Sequence, residues 1–415
     1  MTLNISEFEP MLKEYYAGPT PELLAYKNHP LLAMLKKRTD WGGQENKYVI
    51  PLWIETAQAV AADFSTALAN KGQGTYDRFE MGRKNKYGFA QLDRLTMKAS
   101  MKSPKAFLRA FTAEVDGVMS QLGRDTAWNI YRGGHGKRAT VGSLSEGGGN
   151  TTLTLANRAD VVGFSVGMTV VASDSAADPG VTAVDTFTAR TIDAIDRSAG
   201  TLTFTGELLA TAGWATGDHI HREGDIVTAG TFIGIEGLDD HIPETAPTAG
   251  DSFQSVDRSV DTDRLAGLRI DGSSLTIEEG LIEAGTRLFE MGKNPTHVFM
   301  NPVRYGQLIK ELGSKVVHDK VKAPGKASLG FDGIKVYTPA GTLPCLPDPD
   351  CPQDVVWVLD MKTWVLASTG PYPELFDDDV RMLRSATADE YEVRMGGYGN
   401  LGCHDPGANC RIDLD

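Results

Sequence analysis

Hydrophobic residues between Ser103 and Gly134 recur every three or four positions, which predicts one long helix with a buried face. The apolar stripe of this helix consists of Leu108, Phe111, Val115, Val118 and Leu122. Ser103 and Pro104 favour a helix start, because a hydroxyl accepts a free amide proton and proline has a helical φ. Gly133 and Gly134 favour the end. Such a helix is roughly 40 Å long, enough to cross a domain.

The C-terminal half of the chain alternates helical and strand patterns. Thr276 to Met291 predicts a second helix, with Thr276 and Glu279 as a capping box. Asn301 and Pro302 predict the start of a third helix, which ends before Gly313. Core strands are predicted at 297–300, 330–337, 355–359, 364–366 and 391–395. Two helices packed on one mixed sheet give an α+β fold class.

Strand patterns also precede the long helix. Residues 46–53 read as one strand, and Thr75 to Lys98 alternates around turn candidates at Gly82 and Asn85. We therefore expect a two-stranded excursion from Thr75 to Lys98. An isolated hairpin is marginally stable in water, so its order is expected to come from a neighbouring subunit.

The segment after the long helix changes composition. Gly142 to Asn150 is rich in glycine and serine and predicts a flexible joint. From Thr151 to about Val227, short Thr-rich and Val-rich runs are separated by turns. This pattern predicts a small antiparallel barrel or sandwich inserted between helical parts.

Charge is distributed unevenly along the chain. The segment from Lys71 to Arg109 has a net charge of +7, whereas the whole chain of 415 residues has a net charge of −14. A basic segment on an acidic body suits a protein that binds copies of itself, because opposite potentials steer the contact. A solvated face or a loop facing nucleic acid has the same charge pattern, so charge alone does not separate these readings. The acidic total argues against a dedicated DNA-neutralising protein.

A second charged segment, from Asp251 to Asp271, is dense in aspartate and arginine. Bidentate contacts between arginine and carboxylate fix geometry within a chain or across an interface. We select residues from both charged segments as candidates for contacts between subunits. They are Arg78, Arg83, Lys84, Lys86, Arg94, Asp257, Arg258, Asp261 and Arg264.

One catalytic motif needs to be weighed. Gly163 to Gly167 matches the G-x-S-x-G elbow of α/β hydrolases, with Ser165 as the nucleophile. That elbow requires a strand followed by a helix, whereas Met168 to Val171 continue as a strand. We therefore predict no catalytic residue, and a hydrolase using Ser165 is the minor alternative.

Metal binding and redox chemistry are the other open points. Cys345, Cys351, Cys403 and Cys410, with His404 nearby, do not match the usual short spacings of zinc ligands. Free thiols are the favoured interpretation, followed by a disulfide formed later. We predict no metal and no cofactor. The apolar runs are too short to span a membrane, and no signal peptide is evident.

The order of these elements resembles the tailed-bacteriophage major capsid proteins of the Hong Kong 97 type. The segments that carry the resemblance are KNKYGFAQLD, AFLRAFTAEVDGVMSQLGRDTAWNIY, DSFQSVDRSVDTDRLAGLRID, HVFMNPVRYGQL and EYEVRMGGYGNLGCHDPGANCRIDL. The resemblance implies the following parts: an N-terminal arm at 1–45, a strand and extended basic loop at 46–102, a spine helix at 103–134, an inserted β-barrel-like domain at 150–227, and the remaining peripheral and axial domains at 228–415.

The resemblance implies a non-enzymatic structural protein that self-assembles, as pentamers and hexamers, into an icosahedral shell around double-stranded DNA. Its expected location is the virion, after assembly in the cytoplasm of a bacterial host. Expected partners are other copies, a portal, a separate scaffolding protein, a decoration or minor capsid protein, and packaged DNA by non-specific proximity. No membrane partner is expected. The alternative is the shell of an encapsulin-like cellular compartment.

Overall fold

The computed structural model describes residues 29–41, 47–57, 59–94, 104–173, 188–208, 213–227, 231–312, 318–320, 332–376, 383–384 and 389–414. The α-helices there are α1 Pro30–Met34, α2 Phe64–Ala69, α3 Pro104–Tyr131, α4 Leu238–His241, α5 Thr262–Ala266, α6 Ile277–Glu290 and α7 Pro302–Leu312. Short 3-10 helices cover Arg158–Gly163, Arg258–Val260 and Pro406–Ala408. Over these ranges no helix is long and apolar enough to cross a membrane.

The strands in the first half are β1 Lys36–Arg38, β2 Lys47–Glu55, β3 Thr75–Gly82, β4 Lys84–Asp93, β5 Lys137–Gly147, β6 Asn150–Leu155, β7 Thr169–Ser173, β8 Arg190–Thr191, β9 Ala194–Asp196, β10 Thr201–Thr205, β11 His219–Arg222, β12 Ile226–Val227 and β13 Thr231–Phe232. Those in the second half are β14 Ser252–Phe253, β15 Val256–Asp257, β16 Leu268–Asp271, β17 His297–Met300, β18 His318–Lys320, β19 Asp332–Thr338, β20 Gly341–Pro347, β21 Val355–Leu359, β22 Trp364–Ser368, β23 Glu374–Leu375, β24 Leu383–Arg384, β25 Glu390–Cys403 and β26 Cys410–Asp413.

The predicted long helix is confirmed as α3, which begins at Pro104 and ends at Tyr131. Val115, Val118 and Leu122 pack against strands β4 and β25, as the periodicity requires. The side chains of residues 104–113, which include Leu108 and Phe111, lie outside the described part. Towards its C-terminus α3 is buried on all sides, because the inserted barrel, α1 and α4 also pack there.

Strand β25 organises the sheet on which α3 lies. It pairs antiparallel with β4 along one part and with β22 along another, and β1 adds parallel to β22. A Cβ at Gly88 in β4 would lie 2.8 Å from Val118 Cγ1, so strand and helix are in direct contact. The glycine permits this close packing.

The predicted excursion from Thr75 to Lys98 is wrong in its pairing. Strand β3 pairs antiparallel with β2, with Ile50 opposite Phe79, whereas β4 pairs with β25. The hairpin therefore consists of β2 and β3, with the described residues 56–57 and 59–74 in the segment that connects them. Alternation identifies a strand but does not identify its partner, and β4 finds its partner about three hundred residues later. Residues 95–98 lie outside the described part.

The predicted mixed sheet with two helices is confirmed for β17, β19 and β21, whereas the predicted strands at 364–366 and 391–395 belong to the separate β25 sheet as β22 and β25. The strand order of the mixed sheet is β16-β26-β21-β17-β20-β19-β18, with parallel pairs β16/β26 and β17/β20. Helix α6 has the expected capping box, in which Thr276 Oγ1 accepts from Glu279 N and Glu279 Oε2 accepts from Thr276 N. Asn301 Oδ1 accepts from Val303 N at the start of α7. The α+β fold class is therefore correct.

The predicted β insert is a closed barrel. The strand order is β8-β7-β11-β5-β6-β10-β9, and β8 and β9 are two parts of one bent segment that joins β7 to β10. Ile192 N donates to Met168 O and Asp193 N donates to Thr203 O at this closure. The expected flexible joint at 142–150 is wrong, because these residues lie in β5, β6 and the turn between them. Pairing of β5 with β11 and β6, and of β6 with β10, overrides the local Gly and Ser content.

Candidate assembly interface

The hairpin of β2 and β3 has one buried face and one exposed face. Its inner face, with Ile50 and Phe79, packs against Val256, Leu265 and Val365 of the same chain. On the outer face Trp53 lies opposite Tyr76, and their ring centroids are 5.7 Å apart. Both side chains are 67% exposed. The outer face therefore presents aromatic surface to which nothing in the described part of the chain binds closely.

The connecting segment carries a short helix without a core. Asp63 Oδ2 accepts from Thr66 N and caps helix α2, which has no buried residue. Phe64 and Leu68 on α2, and Val60 before it, are exposed. A helix this short is not stable in water by itself. A cluster of exposed apolar side chains on such a helix marks a contact surface.

The charge of the hairpin differs from the sequence-based expectation. From Lys47 to Gly82 it contains three cations and four anions. They are Lys47, Lys71, Arg78, Glu55, Asp63, Asp77 and Glu80. The positive charge of the segment Lys71 to Arg109 therefore lies mostly in β4 and beyond, not in the hairpin. The outer surface of the hairpin is apolar rather than basic.

Two of the selected lysines are paired within their own chain. Lys86 Nζ lies 2.5 Å from Asp125 Oδ2 on α3 and 2.6 Å from Asp225 Oδ1 of the barrel end. Lys84 Nζ lies 3.4 Å from Glu236 Oε1. Both lysine side chains are largely buried, so they connect parts of one subunit.

The selected arginines of the first segment differ in exposure. Arg78 is mostly exposed and lies 2.7 Å from Glu80. Arg83 is exposed, and its guanidinium lies 5.5 Å from the Tyr398 ring centroid. Arg94 Nη1 lies 3.0 Å from Asp389 Oδ1. Of these, Arg78 and Arg83 have the exposure that a contact with another subunit needs.

The second segment forms local caps and one contact with the hairpin. Asp257 Oδ1 accepts hydrogen bonds from Ser259 Oγ and Ser259 N, and these two bonds lower the pKa of Asp257. Asp261 Oδ1 accepts from Arg264 N and caps α5. Arg264 Nη1 lies 2.7 Å from Glu55 Oε1 at the end of β2. This ion pair at the surface joins the hairpin to α5.

Arg258 differs from its neighbours because it is buried. Its Nη1 donates to the Asp240 carbonyl oxygen, and its guanidinium stacks 4.5 Å from the Phe253 ring centroid. Burial lowers the pKa of Arg258, and the nearby Asp251 opposes this effect. Asp257, Asp261 and Arg264 remain at the surface as candidates for contacts between subunits, whereas Arg258 serves the interior.

No family model and no curated protein matches this sequence. The fold, however, is similar to that of a solved structure: the Cyanophage A-1(L) capsid asymmetric unit aligns with 96% of this chain and 99% of that chain, with a TM-score of 0.54 and 12% sequence identity. The chain has the Hong Kong 97-type capsid fold. Lower TM-scores are found for the capsid of an empty GTA particle, at 0.45 with 8% identity, and for the SrpI encapsulin of Synechococcus elongatus PCC 7942, at 0.42 with 10% identity. The alignment with the GTA capsid covers 99% of each chain. The alignment with the encapsulin covers 98% of this chain and 95% of the encapsulin chain.

Within this capsid fold, Ser165 has a structural role. It accepts a hydrogen bond from Arg124 Nη1 at 3.0 Å, and the same guanidinium donates to the Phe164 carbonyl oxygen. Strand β7 follows at Thr169, as expected. Ser165 therefore helps to fix the barrel to α3.

The four cysteines of this fold are buried and are not joined by disulfides. Burial raises the pKa of Cys345 and of Cys403 to about 12. Across the described ranges, no group of three or more His, Cys, Asp or Glu side chains is arranged to hold a metal ion. A thiol with such a pKa is a packing residue rather than a ligand or nucleophile.

The sequence reasoning missed the apolar contact residues. Trp53, Phe64, Leu68 and Tyr76 are the main exposed apolar side chains of the hairpin. A local signal was present, since Trp53 lies outside the alternating apolar set Tyr48, Ile50, Leu52 and Ile54. Two apolar faces on one strand indicate a second partner.

A second exposed apolar area lies on the β25 sheet, on the face opposite α3. The Phe376 and Tyr398 rings are stacked 5.4 Å apart, and Tyr87 contacts both. Tyr87 and its neighbour Phe89 are about half exposed. Among the residues that the structure describes, we select the hairpin and this aromatic area as candidate contact surfaces.

Proposed function

We propose that this chain is the major capsid protein of a tailed double-stranded DNA bacteriophage. The observation that supports this proposal is the capsid fold, which extends over 96% of the chain. The function is mechanical: copies form pentamers and hexamers that close into an icosahedral shell around the genome. The expected location is the virion, after assembly in the cytoplasm of a bacterial host.

The assembly contact that we propose uses the outer face and tip of the hairpin. Trp53, Tyr76, Phe64 and Leu68 bury their apolar surface on a second copy, and Arg78 and Arg83 supply peripheral charge contacts. Exposed apolar side chains on an otherwise well-packed subunit are typical of permanent interfaces. Each contact is weak compared with the sum over a closed lattice, in which every subunit is held several times.

The parts of the subunit follow from this proposal. Residues 1–45 form the N-terminal arm, 46–102 the strand and extended loop, 103–134 the spine helix, 150–227 the inserted domain and 228–415 the remaining peripheral and axial domains. A portal, a separate scaffolding protein, a decoration or minor capsid protein and packaged DNA complete the set of proposed partners.

The test is whether the purified full chain forms shells. The chain is expressed alone and together with candidate scaffolding genes from the same genome, and the products are measured by sedimentation velocity and negative-stain electron microscopy. Closed particles of uniform diameter are the expected result. A chain that stays monomeric at high concentration under both conditions would contradict the proposal.

A further inference from the structure

A cleft of about 590 Å³ lies between β4, α3, the loop that follows β11, the segment 233–235 and Tyr372. Its charged lining residues are Arg83, Lys84, Lys86, Arg222, Glu223 and Asp225. The lining therefore contains four cations and two carboxylates, on a chain whose net charge is −14. Local excess of positive charge in a concave site attracts anions.

The floor of the cleft is a compact ion cluster. Asp125 binds Lys86, Arg138 and Arg222, with Arg222 Nη1 3.3 Å from Asp125 Oδ1. Asp225 binds Lys86 and lies 3.8 Å from Arg138. Three cations thus share two carboxylates in a mostly buried position. Burial lowers the pKa of Lys86, and the two arginines contribute to this effect.

The excess charge persists when the neighbours of the cleft are included. Glu236, outside the lining, is paired with Lys84. Arg138 and Asp125, behind Lys86, add one charge of each sign. Glu223 and Arg83, which both line the cleft, also add one charge of each sign. The charged side chains of the cleft and these neighbours therefore sum to one net positive charge, and excess charge is costly where burial removes it from water.

A polar group of the helix also lines the cleft. Asn129 on α3 is 3% exposed, and its Oδ1 has no hydrogen-bond partner within the described part of the chain. Rotation of this amide exchanges its oxygen for its NH2 group, which is a hydrogen-bond donor. The cleft then combines ammonium, guanidinium and amide donors around one space.

We propose that this cleft binds a phosphate-type oxyanion, with Lys86 and Arg222 as its main ligands and Arg83 at its rim. Arginine and lysine form strong charge-assisted hydrogen bonds with phosphate oxygens, and arginine does so through two parallel donors. The anion offsets the net positive charge, and it connects β4, α3 and the barrel end through residues that these elements already contribute. The site does not depend on the proposed assembly function.

The experiment measures the thermal unfolding of the purified full chain in potassium phosphate and in potassium chloride, at matched pH and ionic strength. Phosphate is expected to raise the Tm by at least about 2 °C more than chloride, with saturation as its concentration rises. Arg222→Gln is expected to lose most of this difference. The matched control is Arg264→Gln, which removes an arginine paired with Glu55 at the surface and is expected to respond as the wild type.

Calorimetric titration of inorganic phosphate into the wild type keeps the proposal testable if Arg222→Gln folds poorly. A saturable heat supports the site. A short DNA duplex is tested as a second ligand of the same site. Competition between the duplex and inorganic phosphate would identify nucleic-acid phosphate as a ligand, and no competition would restrict the site to small anions. Equal Tm in both salts together with no saturable heat would overturn the proposal, as would an unchanged phosphate response in Arg222→Gln.

Discussion

The indole of Trp53 packs across the hairpin against the ring of Tyr76, and the pair is exposed although both rings are large and apolar. Rings in this position add little to the stability of one subunit. Their burial between subunits would provide a strong anchor, because aromatic residues dominate the energetics of interfaces.

We predict that Trp53→Ser combined with Tyr76→Ser weakens assembly by about tenfold or more while the subunit keeps its fold. Shell formation is measured by sedimentation velocity, and the fold by circular dichroism. The control is Val166→Ser, which removes an exposed apolar side chain from the barrel. Normal shells from the double variant would show that the hairpin is not the anchor.

The buried ion cluster predicts a large loss of stability in Asp125→Asn. Asp125 is the carboxylate shared by Lys86, Arg138 and Arg222, and its removal leaves buried cations without a counter-charge. Breaking a buried ion pair costs about 3–5 kcal/mol.

The loss in Asp125→Asn is measured as the free energy of unfolding in urea. Glu283→Gln, which removes an exposed pair with Arg287, is the control and is expected to change this free energy by about 0.5 kcal/mol or less. If both variants change the free energy of unfolding by similar amounts, the buried ion cluster does not stabilise the fold as predicted.

The buried carboxyl of Asp240 predicts that the free energy of unfolding depends on pH. Its Oδ2 accepts from the Gly134 and Gly237 amides, and burial raises the pKa of its carboxyl from 3.8 to about 7. The folded state therefore binds more protons than the unfolded state between these values. The contribution of this group to stability falls as the pH rises from 3.8 to about 7.

Asp240→Asn keeps an acceptor oxygen and removes the titration. Relative to this variant, the wild type should lose roughly 1–3 kcal/mol of unfolding free energy across that pH range. Urea unfolding at several pH values checks this expectation. If the difference in unfolding free energy between the wild type and Asp240→Asn does not change with pH, the raised pKa of Asp240 is contradicted.

Gly237 allows α4 to approach the end of α3. A Cβ there would lie 1.6 Å from the Arg132 carbonyl oxygen, which is impossible without movement of the backbone. Gly237→Ala should therefore lower the free energy of unfolding by about 3 kcal/mol or more.

The matched control for Gly237→Ala is Gly306→Ala in helix α7, where a Cβ meets nothing within 4 Å. This change should be neutral or stabilising by about 0.5–1 kcal/mol, because alanine favours helix. Denaturant unfolding of both variants separates the two expectations. Equal effects would show that the approach at Gly237 is not tight.

The burial of the cysteines predicts that their thiols do not react with reagents in the native state. All four are buried, and burial raises the pKa of each thiol. A thiol-specific reagent should react with none of them in the folded protein and with all four in urea. The measurement is a timed absorbance assay at pH 8. Rapid labelling of any cysteine in the folded chain would contradict this burial.

The elements that the sequence predicted correctly depend on local interactions. The capping box of Thr276 and Glu279, the cap at Asn301 and the periodic stripe of α3 each involve residues within a few positions of one another. Such signals are readable along the chain because the interacting groups are close in sequence. The α+β class and the barrel insert follow from these local patterns.

Whether a charged residue is buried or exposed depends on partners that are distant in the sequence. Lys86 and Arg78 look alike in the sequence, yet Lys86 is buried against Asp125 and Asp225 while Arg78 is exposed beside Glu80. Only the packing of β4 under α3 separates them, so the net charge of the segment could not show which cations are available at the surface.

By itself, the sequence determined the three long helices, the residues at which they begin and the core strands of the C-terminal half, because periodicity and caps act over a few residues. The tertiary structure alone decided that β3 pairs with β2, that β4 pairs with β25, and that the hairpin presents aromatic rather than basic surface. Strand pairing joins residues far apart in the chain, and a hydrogen-bonding edge accepts many partners, so the choice is made by the packing of the whole subunit.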